Sequence, residues 1–538
     1  MKCKTKRHGI IGFQWMILLL LFTISISSCK DDKDASAVAH DPNQPIEVTD
    51  FTPKSGGGNT RMVIYGANFG TDPSIISVKI GGKEAIVVSS KGNSLYCLTP
   101  SLCFEGSVEV KIGKQSSKAQ AKYEYEPQLV VSTLCGYLDE YGKGDIKSDA
   151  PFNDCGKIDY PSWLSLDPQD HTMLYLIQAN DDPNQRKTMR ILDLDKEWIS
   201  TGISADQGAR MRSISWTSEG YMMIACAKGD LKAKSNYLLI PGADRNFKEP
   251  SQQIQVTTGK GCQSSMVHPI NGELYYTHFD TGSLRRYDYK QFGYNNNENN
   301  YEVMFSIKNS FEFTINPHPS GDYIYLIGEE THYILRSNYD HDAKCYTTPY
   351  VVCGKSGEAG YKDLAGSNAR LNYPGQGAFV YNKKYEEENK KDHYDFYFTD
   401  RKNHCIRKLT PEGMVTTFAG RGSKNLNADA YGYVDGEVLQ DARFNYPYAL
   451  AYDKETETFY VGDVENHRIR KIAWEQAPEE TEKEDQKMDD RGSDHCHSSC
   501  GQYRHETAAA RKSAGAGRQL CPDRRRGADA GYQRICVQ

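Results

Sequence analysis

The stretch FYFTDRKNHCIRKL, residues 396–409, returns 63 residues later as FYVGDVENHRIRKI, residues 459–472. Each copy opens with an aromatic run that suits a half-buried strand, ends the strand at an Asp, and then spells N-H-x-I-R-K. Asp400 and Asn403, like Asp463 and Asn466, suit a tight turn, because their short side chains bond nearby backbone groups. Arg407 and Arg470 follow at equal offsets and can reach an acidic or carbonyl group on the adjoining unit. His404 and His467 are capable metal ligands one at a time. Equivalent positions of a repeat lie far apart, however, so the two cannot share an ion. The repeated sentence reads as architecture, a turn with its braces.

The repeating unit is longer than this stretch. Ahead of the second copy stand FAGRG (418–422), YGYVDG (431–436) and ARFNYPYALAYD (442–453). Ahead of the first stand VCGKSG (352–357) and ARLNYPGQGAFVY (369–381), and GMVTTFAG (413–420) follows it. A Gly turn, an A-x-F-x-x-P approach, an inner strand and an aromatic strand ending in Asp-x-x-Asn-His together resemble the NHL repeat. That resemblance implies a blade of a β-propeller.

Weaker copies lie upstream. DYPSWLSLD (159–167), ARMRSISW (209–216), SSMVHP (264–269) and FEFTINP (311–317) each precede an aliphatic or aromatic run and then a third strand pattern. Six units in about 345 residues, near 58 each, predict a six-bladed propeller with long connections. No stretch holds a helical period, so the class is all-β. After Lys471-Ile472 no outer strand like GMVTTFAG follows, whereas a matching piece, PQLVVSTLCG (127–136), precedes the first unit. This piece is expected to supply the outer strand of blade six and so close the ring, leaving no open edge.

Before the ring, short alternating runs such as MVIYG, ISVKIGG, AIVVSS and SVEVKIG are separated by Gly, Pro, Asn and Ser, the pattern of a small antiparallel sandwich. FTPKSGG, IYGANFG, VKIGG and LTP, in that order, resemble an IPT/TIG domain of the immunoglobulin-like class. Such a module acts as a spacer or packing partner. The expected organisation is a leader over 1–28, a tether over 29–45, the IPT/TIG domain over 46–126, the propeller over 127–474 and a tail over 475–538.

The leader has a basic start (Lys2, Lys4, Lys6, Arg7) and an apolar run from Ile10 to Ile26, short for a spanning helix and followed by small residues. Ile26-Ser27-Ser28-Cys29 resembles a bacterial lipobox, which implies acylation of Cys29. Lys30-Asp31-Asp32 directly behind it resembles the Bacteroidetes export signal for surface lipoproteins. The expected location is the outer membrane, facing the exterior, with acyl chains as the only membrane contact.

The net charge of −6 gives no reason to expect nucleic acid as a partner. Fifteen cysteines, irregularly placed, dictate no disulfide. Beyond Trp474 the vocabulary breaks, first acidic (479–490), then rich in Arg, Ala and Gly, which reads as a disordered tail or a frameshifted end.

A propeller binds or catalyses where its inner strands and leading loops converge. Among the inner strands only His268 is a potential metal-binding imidazole, and no three converging ligands or positioned acid–base pair is visible, so no catalytic residue, metal or cofactor is assigned. The mouth-loop acids Asp145, Asp149, Asp363 and Asp435 read as turns. Tyr160, Trp163, Phe311, Tyr373, Tyr446 and Tyr448, with Arg212 and Gln376, gather at the same mouth and are the candidate ligand-binding set. Together with the resemblance to Bacteroidetes surface lipoproteins of this build, they imply non-catalytic binding of an extracellular glycan, with an outer-membrane transporter complex as partner. The alternatives are an envelope hydrolase or lyase at the same mouth, and a protein-binding scaffold.

Overall fold

The computed structural model describes residues 39–477, apart from 138–146, 148, 179–187, 204–209, 228–233, 243, 244, 246, 249–251, 259, 260, 295–299, 309, 310 and 422–429. Cys29, Lys30, Asp31 and Asp32 lie outside these residues, as do Asp145 and the tail from 478.

The first unit is an immunoglobulin-like sandwich. Its strands pair in the order 47–52, 61–67, 94–98, 83–90, 76–80, 108–112, 115–118. Alternation decides which side faces in: Met62 and Ile64, Val78 and Ile80, and Val108 and Val110 are fully buried, while the residues between them point outward. The two end strands are tied by side chains. Ser117 Oγ accepts from Val48 N and Gln115 Oε1 from Ile46 N, both at 3.0 Å, which occupies edge donors that would otherwise be free to pair.

The second unit is a six-bladed propeller. The inner strands are Pro161–Leu166, Arg210–Trp216, Ser265–Val267, Thr314–Pro317, Pro374–Tyr381 and Pro447–Asp453, and each begins an antiparallel blade of four or five strands. One apolar cluster occupies each of the six junctions between neighbouring blades. Tyr175, Ile177 and Met211 pack between blades 1 and 2, for example, and Phe396, Phe398 and Tyr325 between blades 4 and 5. Each blade is thus covered on both faces, which explains strands such as Tyr323–Gly328 that are buried at every residue.

The ring closes as the sequence implies. Leu129–Cys135 pairs antiparallel with Arg468–Trp474, with Val131 opposite Ile472 and Thr133 opposite Arg470. The expected tail, however, begins beyond Glu475. Its backbone N–H donates to the Gln128 carbonyl at 2.9 Å, and its carboxylate accepts from Tyr125 Oη at 2.5 Å and Gln128 N at 3.0 Å. This residue ties the last strand of the ring to the end of the sandwich.

Candidate functional site

The repeated Asp–Asn–His–Arg unit forms one closed network in each of two blades. Asp400 Oδ2 accepts from Arg407 Nη1 at 2.7 Å and from Asn403 Nδ2 at 2.8 Å, while Oδ1 accepts from Asn372 N at 2.7 Å. In blade 6, Asp463 accepts from Arg470 Nη1 at 2.9 Å, Asn466 Nδ2 at 2.7 Å and Asn445 N at 2.7 Å. All four charged side chains are wholly buried. The second arm of each arginine turns to the leading loop of its own blade, Arg407 to Asp363 at 2.5 Å and Arg470 to Asp435. The arginines therefore brace their own blade and its loop, not the neighbouring blade. Asp363 also accepts from Thr417 N at 3.0 Å, and Asp149 from Thr201 N at 2.9 Å, so these acids dock loops onto outer strands.

His404 adopts a left-handed conformation (φ 56°), and its Nδ1 accepts from Tyr446 N, at the start of the next blade, at 3.2 Å. His332, which the sequence reading passed over, does the same with Tyr373 N at 3.2 Å. Blade 4, which carries it, has lost the rest of the motif: Gly328 and Leu335 stand at the Asp and Arg offsets. Burial, reinforced by the Arg421 charge, holds His404 down to about 4, so it stays a neutral acceptor. Each of these imidazoles staples blade to blade. His268 is likewise engaged, with Nδ1 accepting from Ile270 N at 3.1 Å and Asn271 N at 3.2 Å in a turn. Among the described residues no group of three His, Cys, Asp or Glu is placed to hold a metal ion.

One glutamine links three inner strands. Gln376 Oε1 accepts from Leu164 N at 3.0 Å and Leu450 N at 3.1 Å, and its Nε2 donates to the Leu164 carbonyl at 2.7 Å. A single side chain from blade 5 thereby ties blades 1 and 6. Smaller polar groups continue the belt: Ser213 Oγ accepts from Ser265 N, and Ser264 Oγ from Ile315 N, each at 3.1 Å.

Beside it, at the end where the inner strands begin, lies a small cavity of about 20 Å³. Trp163, Arg212, Gln376 and Tyr448 from the candidate set line it, joined by Gln263, Glu312, Thr314 and Glu329. Tyr160 stands edge-on to Tyr448 with centroids 6.3 Å apart. Phe311, Tyr373 and Tyr446 do not line it. Phe311 is buried against Phe313 and Tyr333. Tyr373 and Tyr446 are each held by a histidine staple in left-handed conformation (φ 58°) just before a proline, a position where that conformation is rare. Trp163 also departs from expectation. At 8% exposure, its ring packs in the junction of blades 1 and 2, which leaves no open face for a sugar to stack on.

The cavity's charge is organised. Tyr448 Oη donates to Glu329 at 2.5 Å, and Arg401 lies 3.8 Å from the same carboxylate and 4.9 Å above the Tyr448 ring. Burial opposes the Arg401 charge, but Glu329 outweighs it and the guanidinium is held above its usual range. Gln263 Nε2 donates to Glu312 at 2.5 Å, and the surrounding walls raise the Glu312 carboxyl despite Arg212 nearby. The carboxylates and Gln263 escaped the sequence reading, which sought rings and converging acid pairs. Their signal was positional: each sits at or just before the first residues of an inner strand, or at the end of the strand beside it.

Residues 45–127 match the IPT/TIG domain family. Among curated proteins none matches the chain. Among solved structures, an auxiliary nutrient binding protein from Bacteroides thetaiotaomicron is 41% identical with a TM-score of 0.74, over 81% of this chain and 100% of that one. An auxiliary nutrient binding protein from Bacteroides ovatus is 35% identical with a TM-score of 0.61, over 81% and 100%. A putative phosphatase from Bacteroides thetaiotaomicron is 36% identical with a TM-score of 0.74, over 82% and 99%. With an IPT/TIG domain ahead of a six-bladed propeller and such identity along whole relatives, the chain belongs to the Bacteroides family that includes the two auxiliary nutrient binding proteins.

Proposed function

We propose that this protein is a non-catalytic nutrient-binding accessory of the cell surface, holding an extracellular glycan at the propeller mouth for a transporter or enzyme partner. The observation that carries the reading is the cavity at that mouth. It is lined by groups from all round the ring: Trp163, Arg212, Gln263, Glu312, Gln376 and Tyr448. The two relatives described as auxiliary nutrient binding proteins support it. In this reading acyl chains on Cys29 hold the protein at the outer membrane, and Lys30, Asp31 and Asp32 direct it outward, with the IPT/TIG domain as spacer.

A hydrolase acting at the same mouth is the second reading, favoured by the relative described as a putative phosphatase. Titrating the purified protein with plant, host and microbial polysaccharides, while following reducing ends and inorganic phosphate, separates the two. Binding without release is expected. Release of either product at a rate that falls on mutating Glu312 or Glu329 would replace the binding reading with the enzymatic one.

A further inference from the structure

Two sulfurs meet at the seam of the ring. Cys135 is the last residue of the closing strand Leu129–Cys135, where it stands opposite Ile469 of blade 6. Cys155 follows the short turn Phe152–Asp154 on the way into blade 1. Backbone bonds hold these segments at the seam. Tyr137 N donates to the Gly156 carbonyl and Ile158 N to the His467 carbonyl, each at 2.9 Å. Both cysteines are 2% exposed and share one apolar cluster with Ile158, Leu164 and Ile469. Their thiols are hydrogen-bonded to each other.

Other buried thiols of this chain are placed differently. Burial raises Cys97, Cys103, Cys262, Cys353 and Cys405, and none of them has a second sulfur among its partners. They serve as small apolar side chains, the usual part of a buried cysteine. In the pair, the Cys135 thiol donates to Cys155 and holds it down to about 7, with the Gly136 N–H and the Arg190 charge also working against burial. Cys135 is pushed well above its usual range by the same contact and by burial. One sulfur is therefore disposed to be a thiolate nucleophile, and the other lies beside it.

We propose that Cys135 and Cys155 are joined by a disulfide in the mature protein, a covalent clamp between the closing strand and the entry to blade 1. The step is thiol–disulfide exchange with a disulfide carrier of the cell envelope. The Cys155 thiolate attacks one carrier sulfur, and the other carrier sulfur leaves as a thiolate. Cys135 then gives up its proton, attacks the Cys155 sulfur of the mixed disulfide and releases the carrier. The protein loses two protons and two electrons, and the carrier takes up both as its dithiol. Both cysteines are buried in the closed ring, so the exchange belongs to folding, before Leu129–Cys135 docks. The clamp goes beyond ligand binding and rests on the cell-surface location proposed above, because disulfides form and persist in oxidising compartments.

Differential alkylation and peptide mapping by mass spectrometry test this on two samples of the full chain. The first is unfolded in urea with reductant and refolded into a glutathione redox buffer until its circular dichroism is regained. The second is taken from the membranes of cells that make the chain with its own leader, and is alkylated before lysis. Both are expected to yield a Cys135–Cys155 linked peptide, two hydrogens lighter than its reduced parts. Reductant is expected to lower the thermal unfolding midpoint of the wild type by several degrees and to leave that of Cys135→Ser or Cys155→Ser in place. Full alkylation of both cysteines in the refolded sample would overturn the disulfide whatever the location. A bridge from either cysteine to a different sulfur would overturn the pairing. A linked peptide in the refolded sample but free thiols in the cellular one would overturn the cell-surface location, and with it the clamp in the mature protein.

Discussion

Replacing Asp463 with alanine tests whether the repeated motif braces its blade. The carboxylate accepts from three donors at 2.7–2.9 Å: Arg470 Nη1, Asn466 Nδ2 and the Asn445 backbone. Its loss strands Asn445 N and leaves a wholly buried guanidinium with Asp435 as its remaining acid. Removing one partner of a buried ion pair costs about 3–5 kcal/mol, and the surviving Asp435 contact places this case near the lower end, about 3 kcal/mol. At a urea m-value of about 3 kcal/mol/M, that is a midpoint lowered by about 1 M. The titration is run at pH 7.5, above the value of about 6 to which burial lifts the Asp463 carboxyl, so that the pair is charged at the start. Tryptophan fluorescence follows it well, because Trp474 ends the strand that meets Leu129 at the closure. The double variant Asp463→Ala/Arg470→Met removes both charges and should recover much of the loss, since an apolar replacement of a buried pair is often neutral. A single-variant loss below about 1 kcal/mol, with no coupling in the double variant, would refute the reasoning. The motif would then be a turn without a brace.

Two further tests address the staple and the glutamine. His404 is held down to about 4 from an ordinary 6.5, so the unfolded chain takes up this proton before the folded protein does. Its stabilising effect is therefore complete above about pH 6.5 and is lost as the pH falls towards 4, by about 1–2 kcal/mol after allowing for partial exposure. His404→Asn, which tolerates the left-handed backbone, should flatten stability against pH over that window in urea titrations; an unchanged slope would show that the imidazole is not the titrating acceptor. Gln376→Leu takes the shared acceptor from Leu164 N and Leu450 N and should cost about 2–4 kcal/mol by calorimetry, whereas a loss within about 0.5 kcal/mol would mean that water replaces it without penalty.

Repetition made the ring legible in the sequence. A unit that covers its apolar faces only by stacking on a copy of itself must recur, and FYFTDRKNHCIRKL and FYVGDVENHRIRKI carry the same strand, turn and brace at the same offsets. The missing outer strand after Ile472 likewise pointed to 127–136, because a ring with an unpaired edge is not closed. The cavity was harder to read. Trp163, Arg212, Gln376 and Tyr448 could be placed at the mouth from their blade positions, but Tyr373 and Tyr446 occupy matching positions and are drawn to histidine staples.

What the sequence by itself determined is therefore the all-β class, the IPT/TIG sandwich, the six blades and their closure, all of which follow from local alternation, turn chemistry and repeat spacing. Only the tertiary structure decided what the mouth offers. Which of eight candidate side chains line the cavity, which buried donors find no partner, and that one glutamine ties three inner strands all depend on six inner strands meeting from segments nearly 300 residues apart. The spacing within any one blade carries no record of that meeting.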